Sequence, residues 1–403
     1  MRIRYFCPFA KPTGYARAAQ DYLMSFLAAR GAGDTLDITP FHECDTDDLE
    51  PRYRPLVSYA EIGLEDPTHV VVHAPPFHAH EFVTGDLAPK SGPDGVTVKK
   101  ICMTTWETDR LPEAAAKNLY ENFDLVIVPC KHNRDVFSRA LSGVHEPGRT
   151  PPSIVVVPHA FDPDFWFAGK KSLPLYPDPP YVFYSILTWY ARKGPIELLK
   201  AYLTAFTAKD NVVLKLAVSA YGPNEQADVA ALMRRTCMTD LPKVEFITDR
   251  LSEGALRQLH YDSDCYVTLT RGEAWGLGAF EAAIVGNPVI ACTYGGLADA
   301  LADYPLLHSV PYMMTPVITP EAKITRQVSL NQKLTIEPAA LTPAFGGLDA
   351  SQNWAEPDIH TAKQMMRKAY DNRYQSTAYH RPMIERFSLT AVGKQLIEAL
   401  RNA

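Results

Sequence analysis

The seven cysteines include no Cys-x-x-Cys pair, Lys and Arg form no run longer than two, and no apolar stretch is long enough to cross a bilayer. Each absence removes a class of function. Without paired cysteines a disulfide framework or structural zinc site is not expected; Cys7, Cys102, Cys265 and Cys292 fall in or beside apolar strands and read as reduced, buried thiols of a cytoplasmic protein. His78 and His80 make a short His-x-His with no further ligand cluster, so no metal site is assigned. Lys and Arg number 40 against 46 Asp and Glu, a net charge of −6. That balance disfavours a broad nucleic-acid surface while leaving a local basic groove open. A transmembrane helix needs roughly 18–20 apolar residues, and none is found. The apolar run in Met1-Arg2-Ile3-Arg4-Tyr5-Phe6-Cys7-Pro8 is too short for a signal peptide and reads as a first strand. No Gly-x-Gly-x-x-Gly follows that strand, which makes a dinucleotide-binding reading poor.

The most telling stretch is Thr270-Arg271-Gly272-Glu273-Ala274-Trp275-Gly276-Leu277-Gly278-Ala279-Phe280-Glu281. Glu273 lies in a loop after the apolar run Cys265–Leu269. Glu281 lies about a turn and a half into the helix that the loop opens. Gly276 and Gly278 remove side chains where a ligand could reach the first backbone N–H groups, and such a helix start suits phosphate. Carboxylates on either side can accept from sugar hydroxyls. Gly286-Asn287-Pro288 ends the helix and feeds a strand at Val289–Cys292.

Strand and helix alternate through the chain, which predicts an α/β protein with mainly parallel sheets. Its length suits two domains of about 150–200 residues. In the first half, strands are expected at Ile3–Cys7, His69–His73, Lys100–Thr104, Leu125–Val128 and Ile154–Val157, with helices at Tyr15–Ala29 and Asn133–Leu141. A proline-rich passage reads as a linker. Beyond it, strands are expected at Tyr181–Leu187, Val212–Val218, Val244–Ile247 and Cys265–Leu269. Helices are expected at Ile196–Phe206, Glu225–Arg235, Ser252–His260, Asp358–Asn372 and Leu389–Leu400. The stretch from about 311 to 354 has no clear period and reads as an irregular insertion.

The glutamate stretch, set in strand–loop–helix–Gly-Asn-Pro–strand–Gly295-Gly296, resembles the E-x7-E region of retaining GT-B glycosyltransferases, family 4 in particular. Val155-Val156-Val157-Pro158-His159 is similar to the family's strand-to-linker segment, with His159 where asparagine is usual. Ala191-Arg192-Lys193-Gly194-Pro195 is similar to its basic segment that grips the donor diphosphate, although Thr188 stands where the family has an arginine. The resemblance implies a GT-B fold, two Rossmann-like domains facing a central cleft. Residues 1–167 would be the acceptor-side domain, 168–180 the linker, 181–380 the nucleotide-sugar domain, and 381–403 a C-terminal helix crossing back to the first.

The same resemblance implies roles. Glu281 would hold the nucleotide ribose and Glu273 the donor sugar. Arg192, Lys193 and the N–H groups of Gly276, Leu277 and Gly278 would meet the diphosphate, and Gly14 would approach it from the first domain. The base would sit near Ser219–Gly222 and Thr248–Leu251. Glu107 stands where many members carry a histidine near the reacting sugar. Together with His73 it is expected beside the chemistry, and Tyr15 on the acceptor side. No cofactor or metal is implied, only a nucleotide-diphosphate sugar, UDP- or GDP-linked, as co-substrate. A retaining hexosyl transfer to a glycan, lipid-linked sugar, protein or metabolite is the expected activity. Two alternatives stay open: a phage-type transferase acting on hydroxylated DNA bases, and a GT-B-shaped binding protein with weak or no turnover. A sugar-nucleotide epimerase on the same fold is a third.

Overall fold

A computed structural model describes residues 1–10, 13–41, 49–60, 62–85, 95, 97–173, 177–219, 222–235, 240–317 and 347–403. The described chain divides into two compact units. The first comprises Met1–Pro163, Pro316–Asn353 and Ile384–Ala403; the second comprises Asp164–Thr315 and Trp354–Met383.

The first unit is built on six strands: β1 (Arg2–Cys7), β2 (Thr35–Pro40), β3 (His69–His73), β4 (Lys99–Met103), β5 (Leu125–Val128) and β6 (Ser153–Val156). They lie in the order β2-β1-β3-β4-β5-β6, all parallel. A parallel sheet is covered on both faces, so its strands are apolar throughout rather than alternating with polar residues. Val71, Ile101 and Ile127 pack into the core on one face with Tyr22 and Phe26 of α1 (Gly14–Ala29). Val70, Val72, Cys102 and Val126 pack on the other, with Leu119 of α2 (Glu113–Asn122) and Phe137 of α3 (Lys131–Gly143).

The C-terminal helix Leu389–Arg401 belongs to this unit. Val392, Leu396, Ile397 and Leu400 join the α1 side of the core. A Cβ at Gly393 would stand 2.0 Å from the Ser25 carbonyl oxygen, so only glycine lets the two helices approach this closely. The Leu400 carbonyl oxygen lies 3.1 Å from His69 Nε2.

The second unit carries β7 (Tyr181–Thr188), β8 (Val212–Ser219), β9 (Lys243–Ile247), β10 (Cys265–Thr268), β11 (Val289–Cys292) and β12 (Leu307–Val310). Their order is β12-β11-β10-β7-β8-β9, again parallel throughout. α4 (Pro163–Phe167) precedes β7, and the helices between the strands are α5 (Pro195–Ala205), α6 (Pro223–Arg235), α7 (Glu253–Tyr261), α8 (Leu277–Ile284) and α9 (Gly296–Ala300).

The α/β class, the parallel sheets and the returning last helix match the sequence reading, with boundaries shifted by a residue or two. Among the elements it did not foresee are β2 and α2. In β2, Leu36 and Ile38 flank a buried Asp37, whose Oδ2 accepts from Arg4 Nε at 3.3 Å; the charge disguises the strand. In α2 the buried face is mostly small, Ala115 and Ala116 beside Leu119 and Tyr120, which blurs the period.

The proposed linker at 168–180 requires correction. From Asp164 onward the chain belongs to the second unit. Lys171 pairs with Asp264 at 2.7 Å and the Ser172 N–H donates to Asp262 at 2.7 Å, so this passage is strapped to the loop before β10. The 181–380 domain is also interrupted. Gln352 accepts from Thr108 Oγ1 at 2.6 Å, and the Asn353 N–H donates to Asp109 at 2.6 Å, which ties the described end of the 311–354 stretch to the first unit. The rest of that stretch, 318–346, lies outside the described residues; Tyr312–Pro316 and Asn353–Pro357 on its flanks pair as a two-stranded ribbon.

Candidate functional site

In the second unit, the strands that follow β7 in sequence run out to one side and those that follow β10 run to the other. The strand order therefore reverses between β7 and β10. In a parallel sheet all strands end on the same edge, and the gap outside the carboxyl ends at such a reversal is where ligands bind. The loops that leave β7, β10 and β11 there carry Arg192 and Lys193, Glu273, and Gly295-Gly296.

Lys193 Nζ donates to Glu273 Oε1 in a short ion pair, and Arg192 Nη1 lies 3.7 Å from Glu273 Oε2. Arg192 Nη1 also donates to the Gly272 carbonyl at 2.5 Å. Burial works to raise the Glu273 pKa, but the charges of Lys193 and Arg192, with hydrogen bonds from Lys193 and Thr270, outweigh it and hold the carboxyl below its ordinary value. The loops are pinned through their backbones. The Arg271 N–H donates to the Arg192 carbonyl at 2.7 Å, and the Gly296 N–H donates to the Glu273 carbonyl at 2.7 Å. Gly194 has φ +62°, and a Cβ there would lie 2.2 Å from the Leu269 carbonyl oxygen, so the basic loop can sit against the end of β10 only with glycine at this place. Pro195 then opens α5 at its first turn, where a proline leaves no hydrogen bond unmade.

Gly276 caps α8 in the left-handed region at φ +84°, and a Cβ there would stand 2.3 Å from Leu297 Cδ2. Leu277 and Gly278 form the first turn, whose N–H groups have no intrahelical partner. A Cβ at Gly278 would stand 2.4 Å from the Tyr266 hydroxyl, so that position too is reserved for glycine. Glu281, one turn further on, is 3% exposed, and its Oε2 lies 3.2 Å from Nε2 of His260, itself fully buried. The opposite ring nitrogen of His260 lies 2.7 Å from the Tyr184 hydroxyl.

Arg271 is a site residue that sequence reasoning passed over. It is 8% exposed, forks onto Glu356 at 2.6 and 2.8 Å, reaches Glu197 at 3.2 Å and also donates to the Ala191 carbonyl. It thus joins the loop after β10 to the start of α5 and to the returning strand Asn353–Pro357. Its charge was visible, but its partners stand 74 and 85 positions away in the sequence. Tyr266 and His260 were missed for a similar reason: Tyr266 is one residue of an apolar strand and His260 one polar residue of an amphipathic helix, and neither shows its partners in sequence. Thr188, which stands where family 4 glycosyltransferases carry an arginine, accepts from the Ser219 hydroxyl at 3.0 Å. Residues 220–221 of the expected base region lie outside the described residues, and Thr248, Asp249 and Arg250 are exposed.

The first unit reverses its strand order between β1 and β3. Tyr15, on α1 after β1, and His73, at the end of β3, are in ring contact at 5.5 Å, and the Tyr15 hydroxyl lies 2.9 Å from Thr105 Oγ1. Gly14 is exposed and begins α1, behind Thr13, which accepts from the Ala16 N–H at 3.1 Å. Burial raises the Tyr15 pKa, and the charge of half-buried Glu107 adds to the rise. His73 is 2% exposed among the rings of Tyr5, Tyr15 and Tyr22, with Nδ1 3.0 Å from the Tyr5 hydroxyl. Burial, with the neighbouring His159, lowers its pKa to about 3, so the imidazole is neutral. Within this unit Tyr15 and Glu107 come together, whereas His73 is enclosed behind Tyr15.

No protein-family profile matches the chain. D-inositol 3-phosphate glycosyltransferase of Actinosynnema mirum is 27% identical over 186 residues, covering 42% of this chain and 42% of that protein. The match thus spans about two fifths of the relative's length. Among solved structures, Anabaena HepE in complex with UDP-glucose aligns with a TM-score of 0.59 at 14% identity, covering 100% of both chains. The lipopolysaccharide outer core galactosyltransferase WaaB aligns at 0.56 and 12%, over 100% of this chain and 99% of the other. At these identities the likeness is one of fold, and the fold is GT-B.

Proposed function

We propose that this chain is a retaining, metal-independent glycosyltransferase of family 4 type. It would move a hexosyl group from a UDP- or GDP-linked sugar to a hydroxyl of a glycan, lipid-linked sugar, protein or metabolite. The observation that carries this reading is the Lys193–Glu273 pair at the β7/β10 reversal, set between the first turns of α5 and α8. The alignment of part of the chain with a D-inositol 3-phosphate glycosyltransferase supports the same class.

In this mechanism the diphosphate lies against the first-turn N–H groups of α8 and takes Lys193 as its counter-charge, with Arg192 beside it. A nucleotide-bound Lys193 is shared with, or drawn from, Glu273, which frees that carboxylate to accept from hydroxyls of the sugar. Glu281 accepts from the ribose. Departure of the diphosphate develops positive charge at the anomeric carbon and negative charge on the leaving oxygen. Catalysis is then mainly positioning and electrostatic stabilisation. The acceptor hydroxyl attacks from the leaving-group face and its proton passes to a diphosphate oxygen, so no enzymic nucleophile is required. Tyr15 and Glu107 in the first unit are assigned to the acceptor; Glu107→Ala should lower transfer with nucleotide affinity unchanged, and a fully active variant would remove that assignment.

The direct test is a donor panel of UDP-glucose, UDP-galactose, UDP-N-acetylglucosamine and GDP-mannose. Nucleotide release is followed with and without acceptor hydroxyls, and the anomeric configuration of the product is read by NMR. Release with one donor and an α-product from an α-donor is expected. An inverted product would overturn retention, and binding without release from any donor would point to a binding protein instead.

A further inference from the structure

We infer that His260, held by Tyr184 and Asn287, is a positioning residue that sets the Glu281 carboxylate for the donor ribose. The inference deepens the reading above and rests on Glu281 as the ribose acceptor. Its basis is the direction of a buried hydrogen-bond chain. A carboxylate can only accept, so the contact of 3.2 Å between His260 Nε2 and Glu281 Oε2 places the ring proton on Nε2. The other nitrogen of a neutral imidazole must then accept, and the Tyr184 hydroxyl, 2.7 Å away, supplies the donor. The Tyr184 oxygen in turn accepts from Asn287 Nδ2 at 2.8 Å.

Asn287 is fixed independently. Its Nδ2 also donates to the His260 carbonyl at 2.6 Å, its Oδ1 accepts from Ser376 at 2.5 Å, and its own carbonyl accepts from the Tyr304 hydroxyl at 2.7 Å. Every link from Asn287 to Glu281 points the same way, and reversing any one would set two donors or two acceptors face to face. The middle residue of Gly286-Asn287-Pro288 is therefore more than a helix stop: it orients the tautomer that presents a proton to Glu281. The rings of Trp166, 5.6 Å away on edge, and Tyr266, stacked at 6.3 Å, close the sides of the imidazole. All four polar residues are buried, at 3% exposure or less for Glu281, His260 and Asn287 and fully for Tyr184. In such a setting a satisfied network fixes geometry, while a broken one leaves a buried polar group unmatched. Because a carboxylate has about four lone-pair sites, Glu281 can accept from His260 and from ribose hydroxyls at the same time.

The experiment compares calorimetric affinities for UDP and 2′,3′-dideoxy-UDP, and for GDP and its dideoxy form, in wild type, Glu281→Ala, His260→Phe, His260→Gln and Tyr184→Phe. Wild type is expected to prefer the hydroxylated nucleotide by about tenfold or more, and Glu281→Ala to lose that preference. His260→Phe, which keeps a ring and removes the donor, should lose most of it, with donor KM rising and kcat nearly unchanged. His260→Gln, whose amide can donate from a similar position, should regain it in large part. Tyr184→Phe should fall between, and it serves as the test if His260→Phe does not fold. A folded His260→Phe with the wild-type preference overturns the inference while leaving Glu281 in its role, as does Tyr184→Phe with that preference if it stands in. No preference in wild type, or its persistence in Glu281→Ala, overturns the ribose reading itself.

Discussion

Lys193 and Glu273, 80 positions apart in sequence, are joined in an ion pair at the carboxyl ends of the two strands between which the second sheet reverses its order. Neither is fully exposed, with side chains at 22% and 15%. In the proposed function the pair would bring the counter-charge for a leaving diphosphate and an acceptor for sugar hydroxyls into direct contact.

Removing the cation alone should expose this division. Lys193→Met is expected to weaken UDP or GDP binding by about 10- to 100-fold, the range of one lost charge-assisted hydrogen bond of about 1.5–3 kcal/mol. Isothermal titration gives the answer, and undiminished affinity in a folded variant would take Lys193 away from the diphosphate.

Glu273→Gln should act on the other half of the pair. Nucleoside-diphosphate affinity is expected to stay within about threefold of wild type while kcat falls by about 100-fold, since in the proposed function the lost carboxylate meets the sugar being transferred. Equal losses in both quantities would show that the carboxylate serves nucleotide binding instead.

Chelation offers a third check. With Lys193, Arg192 and the α8 N–H groups supplying the positive potential, turnover in excess EDTA should stay within about twofold of that in buffer. Complete loss with rescue by magnesium or manganese would contradict the assigned charge balance.

Acid sensitivity should be concentrated at two buried histidines of the first unit. Burial lowers the pKa of both His73 and His159 to about 3, while an unfolded histidine stands near 6.5. The unfolded state therefore binds the proton first. Stability is unaffected above about pH 6.5 and falls as pH drops toward 3, by about 1.4 kcal/mol per pH unit for each histidine. Urea midpoints between pH 7 and 4 should accordingly follow a shallower slope in His73→Asn than in wild type. Parallel slopes would mean that His73 is not held neutral.

The sequence carried the parallel sheets clearly because strands such as Val70-Val71-Val72 and Leu125-Val126-Ile127 are apolar on both faces, as burial on both sides demands. The glutamates, glycines and basic pair of the candidate site were legible as well, since loop-to-helix junctions are written in local sequence. Partners distant in the chain were not. Arg271 gives no sign in sequence that it will fork onto Glu356, and His260 reads as one polar residue on the apolar side of α7 until the sheet places Glu281 beside it. His73 shows the opposite failure. A histidine at the end of a strand suggests chemistry, but the rings of three tyrosines that enclose it come from β1 and from two turns of α1. The linker was misread because proline content marks irregular backbone, irregular backbone can be strapped to a domain as firmly as a helix, and the straps here are two hydrogen bonds from Ser172 to Asp262 and the Lys171–Asp264 ion pair.

The placement of the last helix governs the order in which this molecule can be completed as it is made. The core around α1 includes Val392, Leu396, Ile397 and Leu400, which leave the ribosome after the whole of the second unit. Until then Tyr22, Leu23 and Phe26 lack part of the apolar cover they have in the finished protein. The strands of the second sheet lie within residues 181–310, and the helix Ile359–Asp371, whose Ala362, Met366 and Ala369 complete its core, also precedes residue 389. For a nascent chain the usual amino-to-carboxyl sequence of domain completion is thereby inverted between these two units: the first unit begins before the second and is completed after it, and termination before residue 389 deprives the α1 core of one of its walls.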